Sequence, residues 1–250
     1  MDSSSRGAGV IAIVAVLGAP RAFAAHPLVT EDTATQGAGN VELENGFSRE
    51  RQGSARVFEY QPQISYGLLT ALDLIVQPSW LAEHPASGPQ IEGLGDTNFD
   101  AKWRFFGAAP WSWAIRAGIT ASTNRRGLGL PAGKTSEHAV LVLTYDEAPL
   151  AVHINGGLVV NPHDAGLKRN VGHFSTAVMW SVNAHLILTG EAAVDSDPNP
   201  SSSSWGGSVL AGAVYTVRSG LDIDFGYQVG IHAEAPTHTW LGGITYRFAL

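Results

Sequence analysis

The segment Leu221 to Leu250 constrains the fold more than any other part of the chain, because it alternates apolar and polar residues with period two and its polar set includes full charges. Leu221, Ile223, Phe225, Tyr227, Val229 and Ile231 fall on one face of a strand, and Asp222, Asp224, Gly226, Gln228, Gly230 and His232 on the other. Trp240, Gly242, Ile244, Tyr246 and Phe248 then alternate with Leu241, Gly243, Thr245 and Arg247. Two architectures accept such strands: a soluble sheet lying on a core, or a barrel in lipid with a wet lumen.

The N-terminus discriminates between them. Arg6, the apolar run Ala8 to Leu17, and Ala22-Phe23-Ala24 have the order of a secretory signal with a small-x-small cleavage site. The run ends at Gly18 and Pro20, short of the roughly 20 apolar residues a membrane helix needs. Residues 1–24 are therefore expected to be removed on export, after Ala24 or Ala25. Their loss takes away Asp2, Arg6 and Arg21, a net +1, and moves the formal charge from −7 to −8. An acidic chain without a basic run is a poor nucleic-acid binder. With no cysteine, disulfides and thiol-metal sites are excluded, and no cofactor is expected.

From Asn40 onward the alternation recurs about twelve times, predicting strands near 39–48, 55–66, 72–83, 95–106, 111–122, 137–146, 150–161, 171–182, 185–196, 205–217, 221–232 and 238–248. Each is about the 9 to 11 residues of a tilted membrane-crossing strand. Tight connections at Gly67–Ala71, Gly107–Pro110, Glu147–Pro149, Asn183–Ala184 and Arg218–Gly220 alternate with longer ones at Arg49–Ser54, His84–Leu94, Thr123–Ser136, Pro162–Asn170 and Asp197–Ser204. An even count of strands with short turns at one end and long loops at the other predicts a single antiparallel barrel over residues 39–250.

The aromatic residues give an independent check. On the outward parity, Phe47, Phe58, Trp80, Phe99, Phe174, Trp205 and Trp240 fall toward the long loops, whereas Tyr66, Trp103, Phe105, Trp111, Trp113, Tyr145, Trp180, Tyr215, Tyr246 and Phe248 fall toward the short turns. Two rings with Ala, Val, Leu and Ile between them suit two lipid-water interfaces. Pro62 and Pro78 lie inside adjacent predicted strands, where proline removes a ladder donor, so a bulge or a boundary error is expected there.

The block His26-Pro27-Leu28-Val29-Thr30-Glu31-Asp32-Thr33-Ala34-Thr35-Gln36-Gly37, with the Glu-rich strand after it, resembles the outer-membrane family of transporters associated with the meta-pathway of phenol degradation. Gly93-Leu94-Gly95-Asp96, Lys102-Trp103-Arg104 and Gly127-Leu128-Gly129 are similar to that family's internal blocks. The chain departs from the pattern at Ala34 and Ala38, and it ends Phe248-Ala249-Leu250 where outer-membrane proteins commonly finish on an aromatic. The resemblance implies a barrel that passes small, often aromatic or hydrophobic, compounds and supplies no catalytic residues.

The inward parity holds Glu42, Glu44, Glu59, Asp73, Asp100, Lys102, Arg104, Arg116, Glu191, Asp195, Asp222, Asp224 and Arg247. Hairpin pairing places Arg247 opposite Asp222 or Asp224, near Glu42 and Glu44 if the first strand closes on the last, and it brings Asp100 to Arg116. These charges either cross-link the wall or form rings that select permeants. The mature segment 25–38 lacks alternation and carries Glu31 and Asp32; it either hangs in the periplasm or enters the lumen, pairing with Arg104, Arg116 or Arg247.

His84, His138, His163, His173, His232 and His238 map to the long-loop rim without convincing metal-ligand spacing. His173-Phe174-Ser175 resembles the dyad of lipid-active barrel enzymes, but Phe174 takes the lipid parity and the dyad faces inward. The leading expectation is an outer-membrane channel for small solutes, with outer-membrane lipid and a small-molecule permeant as partners and the oligomeric state open. A plugged structural barrel, a soluble periplasmic ligand-binding protein and a lipid-active enzyme using His173 and Ser175 are the alternatives.

Overall fold

The computed structural model describes residues 26–122, 134–163, 165–231 and 236–250. The predicted signal peptide, the 127–129 loop and His232 lie outside the described residues. Twelve strands follow one another: β1 (Asn40–Gln52), β2 (Ala55–Leu69), β3 (Leu72–His84), β4 (Ile91–Ala108), β5 (Trp111–Ala121), β6 (Thr135–Glu147), β7 (Leu150–Val160), β8 (Asn170–Ser181), β9 (Leu186–Ser196), β10 (Trp205–Arg218), β11 (Leu221–Gly230) and β12 (His238–Ala249). Each pairs antiparallel with the next, and β1 pairs with β12 through Asn40↔Ala249 to Arg51↔His238, which closes the barrel. Closure leaves no sheet edge to template aggregation.

Alternation decides which face each side chain takes. On β9, Ile187, Thr189, Glu191 and Ala193 are buried inward, while Leu188 stands exposed on the outer wall. Ile64, Leu74, Val76, Ile119, Val178, Val209, Ile223 and Ile244 are also exposed, and together they form an apolar band. Aromatic rings meet across neighbouring strands above and below it: Phe47 stacks on Tyr60 at 4.8 Å and Tyr227 lies 4.4 Å from Trp240, while at the other end Trp111 meets Tyr145 at 4.8 Å.

One of the expected connections needs correction. The connection expected as a longer loop at 49–54 is a tight turn, because β1 and β2 stay paired to Gln52↔Ala55 and Gly53 takes the positive φ (61°) that the turn needs. Val229 pairs with His238 at the start of β12, so it sits near the long-loop end.

Pro62 and Pro78 are both accommodated without ending a strand. The β1·β2 and β3·β4 ladders continue through Asn45↔Pro62 and Pro78↔Thr97, but the β2·β3 ladder stops at Tyr60↔Trp80 and resumes at Ile64↔Val76. By this register the two prolines stand opposite each other, and both missing N–H groups fall on the same seam. Three residues on each strand are left unpaired, and the four steps from Tyr60 to Ile64 at ~3.3 Å each span about 13 Å of wall without ladder pairs. A register shift next to Pro78 sets two residues of β4, Gly95 and Asp96, against the single residue Ser79. Its hydroxyl donates to the Asp96 carbonyl at 3.1 Å.

Candidate functional site

The segment 26–39 follows the inside of the barrel wall almost full circle before β1 begins. It starts at β1 and β11, where the His26 ring lies over Gly46 and Gly243; a Cβ on Gly46 would come within 2.8 Å of that ring. His26 Nδ1 is 2.6 Å from Asp224 Oδ1, and the His26 N–H donates to Glu44 Oε1 at 3.3 Å. Pro27 fits over Gly212 and Gly226, where added Cβ atoms would meet it at 3.0 and 2.9 Å. Leu28 then enters a small apolar cluster with Ala151, Ala177, Met179, Ile187, Leu210 and Val214, a greasy anchor inside a mostly polar lumen.

Polar clamps take over where the cluster ends. The Thr30 N–H donates to Glu191 Oε2 at 2.7 Å. Asn155 holds the Glu31 backbone at two points, accepting its N–H at 2.7 Å and donating to its carbonyl at 2.9 Å. The Thr33 N–H reaches Thr144, and its hydroxyl meets that of Ser112 at 2.5 Å. Gln36 donates its N–H to Asp73 and its side-chain amide to Glu42 Oε1 at 2.9 Å. The chain then turns into β1 through Gly37 and Gly39, both at positive φ (78° and 80°). Gly67 leaves the space there, since a Cβ on it would collide with the Gly37 carbonyl.

Charge pairing ties this ring to the wall. Lys102 Nζ lies 2.9 Å from Asp32 Oδ1 and 3.2 Å from Glu31 Oε2, and Arg116 pairs with Glu31 on one side and with Asp100 Oδ2 at 2.6 Å on the other. His138 Nε2 reaches the second Asp100 oxygen at 2.7 Å. Removing one partner from such a buried pair typically costs about 3–5 kcal/mol. A separate cluster seals the barrel, with Arg247 Nε 2.6 Å from Glu42 and its Nη1 2.5 Å from Asp222.

The expected charges can now be placed. Glu42, Glu44, Asp73, Asp100, Lys102, Arg116, Glu191 and Asp222 are buried inside the barrel, and the Asp224 side chain is nearly so. Glu59 and Asp195 line the open upper cavity, and Arg104 sits half-buried toward the short turns. Three details differ from expectation. Arg247 is diagonal to Asp222 rather than opposite it, because its N–H bonds the Gly220 carbonyl, and Asp224 and Glu44 go to His26 instead. Glu31 and Asp32 pair with Lys102 and Arg116, not with Arg104 or Arg247, since Lys102 lies one strand pair higher, level with the segment. His138 points into the lumen rather than to the rim, and His238 is 2.6 Å from the Tyr227 hydroxyl.

His173 Nε2 is 3.0 Å from Ser175 Oγ, and its Nδ1 is 2.7 Å from Asp195. The order acid, imidazole, hydroxyl is that of an activated nucleophile, but Ser175 is 0% exposed, so no carbonyl can approach its oxygen. Sequence reasoning passed over His26, Asn155, Thr144 and Gln36, the residues that hold the ring by hydrogen bonds. Asn155, a mid-strand amide on the inward parity, was the one with a signal.

Two cavities lie along the lumen. A vestibule of about 610 Å³ opens toward the long loops, walled by Glu59, Gln77, His138, His173 and Asp195 and floored by His26 to Val29. Below it, between the ring and β1–β4, is a throat of about 20 Å³ lined by Glu31, Asp32, Glu42, Glu44, Asp73 and Lys102 among others. A water needs about 10–15 Å³, so the throat holds one or two. Glu31, Glu44 and Gln63 line both cavities.

No protein-family model and no curated protein matches the sequence. Solved structures do match the fold. An outer-membrane channel from Pseudomonas putida F1 is similar at a TM-score of 0.70 and 10% identity, over 87% of this chain and 98% of that one. The KdgM porin is similar at 0.59 and 9% identity, over 82% and 99% of the two chains. The CymD monoaromatic hydrocarbon channel is similar at 0.50 and 11% identity, over 86% and 90%. The chain has the fold of the porin-like outer-membrane barrels, with twelve strands and its own N-terminal segment coiled in the lumen.

Proposed function

We propose that this chain is an outer-membrane channel for small solutes whose lumen is narrowed by residues 26–37. The observation that carries the reading is the alignment of an open vestibule and a polar throat within one barrel, joined at Glu31 and Glu44. The apolar, aromatic-ringed exterior supports residence in a bilayer, and the signal-like residues 1–24 support export. With the ring seated, the throat suits water and bare ions, so larger solutes require the ring to move.

Membership of the phenol meta-pathway transporter family, and aromatic or hydrophobic permeants, form the finer part of the proposal. They are supported by the mixed lining of the vestibule, where Leu28, Val29, Val140 and Leu241 stand among the acids, and by the CymD likeness. The test is single-channel recording in planar bilayers of the whole chain and of a chain lacking His26–Gly37 behind the native signal. A small conductance that grows on deletion is expected. Equal conductance in both would remove the ring from permeation, and none in either would leave a structural barrel.

A further inference from the structure

Glu44 occupies a position unlike that of the other acids lining the throat. Among the throat-lining carboxylates, Glu31 and Asp32 are neutralised by Lys102 and Arg116, and Glu42 by Arg247. Glu44 stands one inward position beyond Glu42 on β1, is 8% exposed, and has only the His26 N–H on Oε1 at 3.3 Å. Its other oxygen, Oε2, is buried with no hydrogen-bond partner among the described residues. The same side chain lines both the vestibule floor and the throat, so a solute leaving one cavity for the other passes it.

A carboxylate withdrawn from water and lacking a partner is poorly stabilised, and a cation arriving beside it supplies what the protein withholds. An anion meets the opposite situation. Five carboxylates and one ammonium line the throat, and that ammonium is already shared by two of the five. Above it, Glu50, Glu59 and Asp195 line the vestibule, so the approach carries the same sign. Low-dielectric walls of one sign concentrate counter-ions and repel co-ions, and rings of acidic side chains are how cation pores discriminate. The throat volume of about 20 Å³ restricts passage to a bare or barely hydrated ion.

Resting on the channel reading, we propose that the seated ring leaves a path selective for small monovalent cations, with Glu44 as its selectivity-determining residue. Inorganic potassium, sodium and ammonium are the class of permeant the throat fits. Glu31 contributes less, because Arg116 and Lys102 already hold both of its oxygens. Asp73 takes the Gln36 N–H on its oxygens, and Glu44 is the throat carboxylate with a buried oxygen left without a hydrogen bond among the described residues.

The test is the reversal potential of the whole mature protein in planar bilayers across a tenfold potassium chloride gradient. Cation-over-anion preference of order tenfold is expected, the lower end of what one-sign clefts do to local ion concentration. Glu44→Gln, which keeps the shape and the bond from His26, should bring the reversal potential most of the way to zero, while Glu44→Asp should keep the preference. Asp197→Asn, on the β9–β10 loop, should change nothing. Conductance without cation preference in wild type overturns the inference and leaves the channel reading standing, and no conductance at all overturns the channel reading instead. A preference equal in wild type and Glu44→Gln removes the role of Glu44. If Glu44→Gln fails to insert, the wild-type gradient and Glu44→Asp still decide.

Discussion

Pro62 on β2 and Pro78 on β3 face each other across one seam of the barrel, where each withholds the N–H that the other's carbonyl would accept. In a bilayer no water is available to replace those bonds, so this stretch of wall is weakened. The double substitution Pro62→Val and Pro78→Val restores both donors on strands that already run straight through. Two recovered hydrogen bonds at about 0.5–1.5 kcal/mol each should raise stability by roughly 1–3 kcal/mol. The check is the urea midpoint of the detergent-folded barrel; a midpoint that is unchanged or lower would show that the seam is spaced by the neighbouring β4 bulge at Gly95 and Asp96 rather than by the prolines.

The two faces of β11 and β12 should differ sharply in tolerance. Ile244 is 47% exposed on the outer wall and pairs with Asn45 and Ile223 near mid-height. Ile244→Arg is expected to cost about 2–4 kcal/mol, and Val229→Arg, close to the interface, about 0–1. Gln228→Arg, which faces the vestibule, should be tolerated. A refolding titration that ranks the three equally contradicts the outward parity.

The ring should be released by breaking its clamps. Lys102→Met leaves Asp32 without its cation and Glu31 with Arg116 alone, and Asn155→Leu strips both backbone bonds from Glu31. Each is expected to destabilise the seated segment by about 3 kcal/mol or more while the barrel remains folded. Conductance should rise toward that of the chain lacking His26–Gly37. Wild-type conductance in both variants would mean that Leu28 and its apolar cluster suffice to hold the ring.

Arg247 joins β12 to β1 through Glu42 and to β11 through Asp222. Arg247→Ala leaves two carboxylates near each other without their shared cation, so heat-modifiable gel mobility should be lost at a lower temperature. An unchanged transition would show that water solvates these carboxylates adequately.

Most of the barrel was legible because period two is a local property. Each run of outward Ile, Val and Leu with inward Asp, Glu or Thr reports its own face without reference to any neighbour. Register is not local. The ladder shifts between Pro78 and Trp80, between Arg104 and Phe106, and between Thr216 and Arg218. Register also decides which charge meets which: β11·β12 sets Leu221 against Tyr246 and Asp224 against Gly243, and so Arg247 finds Asp222 on the diagonal while Asp224 is left for His26. The course of the ring was illegible for a similar reason: its anchors are one leucine, small residues on the facing wall and backbone amides, none of which leaves a repeating pattern. Gly46, Gly67, Gly212, Gly226 and Gly243 read as generic strand glycines until Gly37, His26 and Pro27 are seen lying against them.

The circular course of residues 26–39 also bears on how the molecule can be assembled. The segment touches β11 at its start and β2 at its end, and it runs directly into β1, whose pairing with β12 shuts the cylinder. Once that last pair is zipped, a folded hoop has no sideways entrance. Winding the hoop before closure, with Asp224, Glu191, Asn155 and Asp73 gathered around it in turn, would let residues 26–39 serve as the mandrel on which the later strands are bent.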